Sequence, residues 1–317
     1  MPELPEVETI VRGLQAALPG RSVISIQLGK TDFIDDPGAL ERELPRSHIT
    51  SVSRHGKFIV LKMQRRGEVA TDAVKFSQDL LLLVHLGMTG QLTVNSATAP
   101  IPPHTHARLL LDNGRELRYT DIRRFGSIRV IPESESEKFL GPLGADPLEI
   151  SENGFCDLIS GRHARIKGLL LDQRVLRGMG NIYTDESLWR ARIHPARVGC
   201  SLKSQECARL FRAVQKILRE AIRLGGSSIS DYVDASGERG GFQIRHRVYQ
   251  REGKKCSRCG SLIRRIIVAG RSSYFCPQCQ RAPRQKSVRR SRTRVRSHPF
   301  RHQEHATAAL DALYQRK

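Results

Sequence analysis

The chain opens with Met1-Pro2-Glu3-Leu4-Pro5-Glu6-Val7-Glu8-Thr9, which combines a reactive terminus with a helix start. We expect Met1 to be removed because the next residue is compact, leaving the secondary amine of Pro2 as the terminus. An α-amino group has a pKa roughly 2 to 3 units below that of a lysine ammonium, so more of it is unprotonated near neutral pH. A secondary amine that condenses with a carbonyl carbon forms a permanently cationic iminium, which acts as an electron sink. Glu3 and Glu6 lie within one helical turn of this amine and could move protons.

The same acids also have a purely structural interpretation. Pro5 suits the first position of a helix, and Glu6 and Glu8 in the first turn complement the helix dipole. The apolar residues that follow recur at the spacing of a helix that buries one face. They are Val7, Ile10, Val11, Leu14 and Leu18. On these residues alone, a catalytic terminus and an ordinary helix start both remain open.

Net charge is the strongest compositional signal. The chain has 317 residues, enough for two domains and a small appendage, and its 53 Lys+Arg against 32 Asp+Glu give a formal charge of +21. Such a surplus attracts polyanions, of which nucleic acid is the commonest. The longest apolar run, Leu80 to Val84, is too short to span a bilayer, and the acidic N-terminus does not match a secretion signal. We therefore expect a cytoplasmic protein that binds nucleic acid and no membrane.

The segment after the first helix has the pattern of a β-sandwich. Short runs of strand composition are separated by turn residues, and Asp112-Asn113-Gly114 between two of them indicates a hairpin. The runs cover 22–28, 58–63, 80–86, 92–95, 107–111, 116–120 and 127–130. Segment 65–77 has mixed charge and no period, so we expect an exposed loop. From 151 onward the period becomes helical, and the clearest helix, 202–224, ends at Gly225-Gly226.

Four of the seven cysteines form two knuckles, Cys256-Ser257-Arg258-Cys259 and Cys276-Pro277-Gln278-Cys279, separated by sixteen residues. This spacing supplies four thiolates to one tetrahedral Zn²⁺, a closed structural site; an iron site or free dithiols are the alternatives. Runs 262–268 and 273–275 predict a hairpin that turns at 269–272 and carries Arg271 at its tip. The other three cysteines have no patterned partners and are expected to be reduced thiols.

Three glycine-containing segments carry side chains suited to nucleic acid. In 173–183, two glycines allow close approach of a ligand, and Asn181 opens a helix whose first N–H groups can bind phosphate. A role for Asn181 as a helix cap only is compatible with this. Segments His85–Gly90 and Asp121–Gly126 each place a large side chain beside a flexible glycine.

Together with Arg54-His55-Gly56-Lys57-Phe58, these landmarks resemble those of the formamidopyrimidine-DNA glycosylases, from Pro2 to about Arg281. The resemblance implies an α+β, two-domain fold with an N-terminal helix and β-sandwich, followed by a helical helix-two-turns-helix domain with a four-cysteine zinc-finger hairpin. It places a catalytic domain at 1–131, a hinge at 132–145, the helix-two-turns-helix DNA-binding domain at 146–248, the zinc finger at 249–281 and a basic tail at 282–317. We expect most of the tail to be disordered, either as an anchor for phosphates or as a solubilising segment.

The family excises oxidised purines and then cleaves the strand. By resemblance, Pro2 attacks C1′ of the sugar, Glu3 is the acid/base, and Glu6 supports the site. Lys57 contacts DNA beside the reacting sugar, and Arg271 grips the phosphates beside the lesion. The other implied DNA contacts are His85, Met88, Arg123, Phe125, Lys167 and Asn181.

Removing a base from the stack leaves a hole and an orphaned partner base. The resemblance assigns Met88, Arg123 and Phe125 to this hole, with Arg123 reading the unpaired base. Judged alone, Met88 and Phe125 would fit a hydrophobic core equally well. The implied partner is double-stranded DNA with oxidised bases or abasic sites, bound by a monomer that carries one structural zinc ion in the bacterial cytosol or nucleoid.

Two other functions are also compatible with the sequence. One is an endonuclease VIII-like enzyme that removes oxidised pyrimidines, and the other is a catalytically silent DNA-binding paralogue. The opening Pro-Glu-Leu-Pro-Glu-Val-Glu and the pair Arg123 and Phe125 favour the purine enzyme, and retention of Pro2 and Glu3 argues against a silent one. Segment 227–248, expected to cover the flipped base, does not align securely with the family.

Overall fold

The computed structural model describes residues 2–65, 79–229 and 231–283. In these ranges the helices are α1 (Leu4–Ala17), α2 (Pro37–Glu43), α3 (Ser136–Leu140), α4 (Glu152–Ser160), α5 (Ile166–Leu171), α6 (Asn181–Ala191) and α7 (Ser204–Arg223). The strands are β1 (Val23–Leu28), β2 (Ser47–His55), β3 (Phe58–Arg65), β4 (Asp79–His85), β5 (Gln91–Ser96), β6 (Thr105–Leu111), β7 (Arg115–Thr120), β8 (Ser127–Pro132), β9 (Arg264–Val268) and β10 (Arg271–Phe275). Nearly all of the loop expected at 65–77 and of the basic tail lies outside the described residues.

Helix α1 begins directly after Glu3, whose backbone N–H donates to the Glu6 carboxylate at 2.8 Å. Pro5 occupies the first turn, where the missing N–H has no intrahelical partner to lose. The predicted apolar face is buried, including Val7, Ile10, Val11 and Leu14. The helix therefore holds the start of the chain in the interior.

Two four-stranded antiparallel sheets form the predicted sandwich. Their strand orders are β1-β6-β7-β5 and β2-β3-β4-β8. Strand β2 is absent from the sequence prediction because seven of its nine residues are polar. Its two apolar residues, Ile49 and Val52, are buried in the sandwich core. Pairing with β3 supplies the hydrogen bonds that local composition did not indicate.

The helical part is built around α7. This helix buries Leu210, Val214 and Leu218 in a core shared with α4, α5 and α6. It ends before Gly225-Gly226, as predicted, and α6 begins at the predicted Asn181. No helix of the described chain combines the length and apolarity that a membrane crossing requires.

The zinc-finger hairpin has a tighter turn than the sequence predicts. Val268 pairs with Arg271, so the turn contains only Ala269 and Gly270. Both have positive φ, 50° and 69°, the backbone of a two-residue hairpin turn that matches the strand twist. Arg271 is therefore the first residue of β10 and not a turn residue. It is exposed next to the tip.

The sandwich and the helical part each contribute residues to the core of the other. Leu4 of α1 belongs to the core of the helical part. Tyr232 and Ala235, which follow α7, belong to the core of the sandwich. The two parts therefore meet along the N-terminal segment.

A buried ion-pair bridge reinforces this junction. Arg54 of β2 contacts Glu8 of α1 at 2.8 Å and Asp146 at 2.8 Å. The Arg54 and Asp146 side chains are almost completely buried. Strand β2, helix α1 and the start of the helical part are thus joined by one guanidinium.

Candidate active site and nucleic-acid interface

Pro2 and Glu3 are buried where the sandwich meets the helical part. The Glu3 carboxylate accepts hydrogen bonds from the backbone N–H groups of Ile182 at 2.9 Å and Tyr183 at 3.2 Å. These donors belong to the first turn of α6, where N–H groups lack intrahelical partners and the dipole favours an anion. Two amides of the helix start that the sequence assigned to phosphate therefore hold the chain's own Glu3.

Two glycines make this arrangement possible. A Cβ on Gly180 would lie 2.2 Å from Cδ of Glu3, and a Cβ on Gly178 would lie 2.9 Å from Cβ of Leu4. The Gly178 carbonyl also accepts a hydrogen bond from the Leu4 N–H at 2.9 Å. The N-terminal segment approaches both glycines closely, at the position where the sequence predicts the approach of a ligand.

Glu6 lies beneath Glu3 and ties three segments together. Its carboxylate accepts hydrogen bonds from the Tyr183 hydroxyl, from the Ser227 N–H at 2.7 Å and from the Glu3 N–H at 2.8 Å. Burial and, second, the nearby Glu3 charge together raise the pKa of Glu6 to about 7, although these hydrogen bonds oppose the shift. Ser227 begins the segment expected to cover the flipped base, so Glu6 links that segment to the terminus.

Lys57 and Arg271 complete the electrostatics around Glu3. Burial lowers the pKa of Lys57 to about 8; attraction to Glu3 opposes this shift, and repulsion from Arg271 adds to it. Burial likewise raises the pKa of Glu3, with Lys57 as the largest opposing influence. His85 is also buried, and burial together with the Lys57 charge lowers its pKa to about 4. The structure thus brings together the sequence-predicted catalytic set, with His85 beside it as a neutral side chain at pH 7.

Met88, Arg123 and Phe125 form one exposed cluster. The Arg123 guanidinium donates to the Met88 sulfur at 3.2 Å and lies 4.4 Å from the centroid of the Phe125 ring. Met88 is 40% and Phe125 39% exposed, so neither belongs to the core. Large apolar side chains on a protein surface, backed by an arginine, are suited to insertion into a base stack.

Lys167 and Asn181 occupy different environments. Lys167 is fully buried, with its ammonium 2.7 Å from Asp185 and 2.7 Å from the Ser272 carbonyl. Both neighbours hold the ammonium between α6 and β10, and the phosphate contact of Lys167 stays a prediction. Within the described chain, the buried Oδ1 of Asn181 has no hydrogen-bond partner.

The four patterned cysteines converge at the base of the hairpin. Their sulfur atoms lie within 4.8 Å of one another, with Cys259–Cys276 at 3.4 Å and Cys259–Cys279 at 3.5 Å. Thiolates around a tetrahedral zinc at about 2.3 Å lie about 3.8 Å apart, so this arrangement fits the ion closely. Four cysteine ligands leave no position for water, which makes the site structural. Cys256, Cys259, Cys276 and Cys279 hold one Zn²⁺.

Comparisons with known proteins match most of the chain. Family models match residues 1–128 (formamidopyrimidine-DNA glycosylase N-terminal domain), 143–233 (formamidopyrimidine-DNA glycosylase H2TH domain) and 253–282 (zinc finger found in FPG and IleRS). A formamidopyrimidine-DNA glycosylase of Solibacter usitatus is 44% identical over 283 residues, which cover 89% of this chain and 100% of the relative. The chain belongs to the formamidopyrimidine-DNA glycosylase family. A second such relative, from Desulforamulus reducens, is 40% identical over 289 residues, with 89% and 100% coverage.

Solved structures of this glycosylase family agree with the fold. The Lactococcus lactis Fpg in complex with abasic-site DNA superposes with a TM-score of 0.78 at 34% identity, covering 88% of this chain and all of that one. A complex of the same protein with DNA that contains an oxidised pyrimidine gives 0.78 at 33% identity, covering 89% and 100%. The predicted α+β fold with a β-sandwich, a helix-two-turns-helix part and a four-cysteine finger is confirmed.

Several buried acids of this glycosylase escaped the sequence interpretation. Asp121 accepts from the Thr89 hydroxyl at 2.5 Å and from the backbone N–H groups of Arg123 at 3.2 Å and Gly126 at 3.0 Å. It therefore shapes the loop that presents Arg123 and Phe125. Its place at the head of the segment Asp121–Gly126 was the available signal, because Asp often bonds the backbone two residues on.

Asp185 and Glu186 of α6 also hold other segments in place through their carboxylates. Asp185 accepts from Lys167 and from the Tyr274 N–H at 2.9 Å, joining α6 to the zinc finger. Glu186 accepts from the N–H groups of Arg247, Val248 and Tyr249, each at 2.9 Å. Two adjacent acids inside a helix carry no sequence signal for such partners, and the backbone N–H groups that they bind lie 61 to 89 residues further along the chain.

Proposed function

We propose that this chain is a bifunctional DNA glycosylase and abasic-site lyase that removes oxidised purines, such as 8-oxoguanine and formamidopyrimidines, in base excision repair. Its curated relatives bear the name of this enzyme, and they are matched over their full length. The observation that carries the proposal is the position of Pro2. This residue precedes a buried Glu3 that the first turn of α6 holds by two hydrogen bonds, so nucleophile and acid share one rigid support.

The proposed reaction begins when the Pro2 nitrogen attacks C1′ of the damaged nucleotide. The base leaves with the electron pair of the glycosidic bond and takes up a proton. Glu3 protonates the ring oxygen as the sugar opens, and C1′ becomes an iminium carbon bonded to Pro2. Loss of a proton from C2′ then expels the 3′ phosphate, and a further elimination expels the 5′ phosphate. Hydrolysis of the iminium regenerates the amine and leaves a one-nucleotide gap.

The surrounding residues take supporting roles in this proposal. Lys57 and Arg271 supply positive charge for the phosphates beside the lesion, and their field also favours the unprotonated form of the Pro2 amine. Asn181 offers an amide to the flipped nucleotide, and His85 lies beside Lys57 at the edge of the site. Lys167 would support the zinc-finger hairpin from beneath, because its ammonium donates to the Ser272 carbonyl.

Met88, Arg123 and Phe125 are proposed to fill the hole in the duplex. Their mutual contacts and their exposure support this role. We also propose that the chain is divided into domains and linkers at 1–131, 132–145, 146–248, 249–281 and 282–317. Because its partner is chromosomal DNA and the relatives named above are bacterial, we infer that the enzyme acts in the bacterial cytoplasm.

Removal of oxidised pyrimidines is the second candidate. It is favoured by one observation, the structure of the Lactococcus lactis Fpg with DNA that contains an oxidised pyrimidine. The two activities share the nucleophile and differ in the base that the pocket accepts.

Borohydride reduction tests both candidates. A duplex with 8-oxoguanine should become covalently trapped on the chain, because hydride reduces the iminium to a stable amine. A duplex with an oxidised pyrimidine should be trapped more slowly, and an undamaged duplex should not be trapped. Absence of trapping on every lesion would leave a DNA-binding paralogue, and faster trapping on the pyrimidine would favour the second candidate. An N-terminal extension that blocks Pro2 should abolish trapping on all substrates.

A further inference from the structure

A second basic surface lies on the exposed side of α7. Arg212, Lys216, Arg219 and Arg223 recur every three or four residues, so they form one stripe along three turns of the helix. All four are exposed. Within the described chain, none of the four has an ion-pair partner. None of the side chains assigned above to DNA belongs to this stripe.

The stripe borders a groove of about 970 Å³ between α7, α1 and segment 148–150. Arg12 of α1 also lines the groove, but it is paired with Glu8 at 2.9 Å, and Glu149 is the one acid among the described residues that line the groove. Apolar side chains, buried or half-buried, form its floor: Leu148, Ile150, Phe211 and Ile222. The groove thus combines a cationic rim with an apolar floor.

Among the described residues, the positive charges of the stripe have no acidic partners, whereas other charged residues of α7 form ion pairs. Glu206 pairs with Arg197 at 3.0 Å, and Glu220 pairs with Arg190 at 3.7 Å. Like charges three or four residues apart on a helix repel each other, so the stripe destabilises α7 in isolation. An anionic partner would remove that repulsion.

We propose that this groove docks an acidic amphipathic segment of another protein. In the part of the chain that the structure describes, the four unpaired cations of the stripe, against one lining acid, provide the charge complementarity. The apolar floor accepts apolar side chains of a helix or extended peptide, which a sugar-phosphate backbone does not offer. The groove volume lies in the range of sites that take up several side chains.

Two other occupants are disfavoured by charge. Residues 284–317 carry ten Lys+Arg and two acids, a net +8, so the groove repels the chain's own C-terminal segment. A second copy of the chain, at +21, is repelled in the same way. A docked acidic segment leaves Pro2 and the zinc finger free, so the proposal is independent of the active-site assignments.

The test uses the full-length, zinc-loaded protein and a fluorescent peptide with glutamates on one helical face and Leu and Phe on the other. Fluorescence anisotropy compares wild type with the groove variant Lys216→Glu/Arg219→Glu. The matched control is Lys30→Glu/Arg42→Glu, which changes two exposed cations of the sandwich and lowers the net charge equally. We expect the groove variant to bind the peptide about tenfold more weakly or worse, and the control to stay within about twofold of wild type.

A second probe, in which serine replaces Leu and Phe, should bind wild type at least about tenfold more weakly, because the apolar floor is left unfilled. Equal losses of peptide affinity in the two variants would mean that only the net charge of the protein matters, which would overturn the proposal. Equal binding of the two peptides would overturn it as well. If the groove variant keeps the peptide but loses undamaged duplex relative to the control, the groove is a DNA surface. Base excision should be the same in both variants, which separates this outcome from a failure of the proposed glycosylase.

Discussion

Glu3 accepts a hydrogen bond of 2.9 Å from the backbone N–H of Ile182, 179 residues further along the chain. The bond joins the residue after the proposed nucleophile to the first turn of α6. Backbone donors at a helix start are rigid. They hold a carboxylate without the need to order a donor side chain. The position of the proposed nucleophile therefore depends on how the helical part packs against the sandwich.

Replacing Glu3 with Gln should separate base excision from adduct formation. The amide oxygen still accepts from Ile182, but it cannot supply a proton, so excision of 8-oxoguanine should fall by about a hundredfold or more. An abasic-site duplex needs no base removal and should still be trapped by borohydride through Pro2. Single-turnover base release and trapping, measured on one preparation, test this. A parallel loss of both would mean that Glu3 only maintains the fold.

Glu6→Gln should remove a pH-dependent loss of stability. Burial raises the pKa of Glu6 from 4.5 to about 7, so between these values the folded chain binds more protons than the unfolded chain. The free energy of unfolding therefore falls as pH rises through this window. Full ionisation of this fully buried group costs about 3 kcal/mol. Denaturant unfolding at about pH 4.5 and about pH 8 gives the free energy of unfolding of wild type and variant. From the lower to the higher pH, the variant should gain stability relative to wild type. A difference between the two proteins that does not change with pH contradicts the assignment.

Arg123→Ala should relax discrimination between bases opposite the lesion. A paired base contact contributes about 1–3 kcal/mol of discrimination, which corresponds to about fivefold to 150-fold in relative excision rate. Arg124→Ala is the matched control, because it removes the same charge from the neighbouring residue, which pairs with Asp32 at 2.6 Å. Excision rates opposite each of the four bases provide the measurement. If both variants change the preference equally, Arg123 has no specific role in reading the orphaned base.

Asp146→Asn should destabilise the junction between the two parts. The change leaves Arg54 buried with only Glu8 as a charged partner, and breaking such a buried pair costs about 3–5 kcal/mol. Glu43→Gln removes an exposed ion pair with Arg65 and should cost less than about 1 kcal/mol. Urea unfolding of the two variants tests the contrast. Similar midpoints would show that the guanidinium bridge contributes little.

Removal of zinc should abolish DNA binding while the sandwich stays folded. The hairpin that carries Arg271 has little apolar core beyond the cysteine cluster and depends on the metal for its shape. Anisotropy with an abasic-site duplex before and after chelation measures binding, and the near-ultraviolet signal of the sandwich tyrosines reports its packing. Unchanged affinity in the metal-free protein would contradict the expectation.

Much of the fold was predictable from local patterns. The apolar spacing in α1, the hairpin signal at 112–114, the two CxxC knuckles and the glycines after α7 each specify a structure by interactions between near neighbours. Strand β2 was not, because a mostly polar strand is stabilised by its partner β3 and by only two buried apolar residues. The four-residue turn predicted at 269–272 was wrong for a related reason, since strand register is set by pairing along the whole hairpin.

The sequence by itself determined which groups are available: a proline after Met1, two nearby acids, four cysteines with zinc spacing and a large positive charge. Residue type and short spacing are sufficient for these, because each depends on groups within one motif. Only the tertiary structure decided that Glu3 rests on α6, that Glu6 bonds Ser227 at a separation of 221 residues, and that Lys167 turns inward to Asp185. Burial and long-range pairing set those partners and their pKa values, and neither is encoded in any single stretch of the chain.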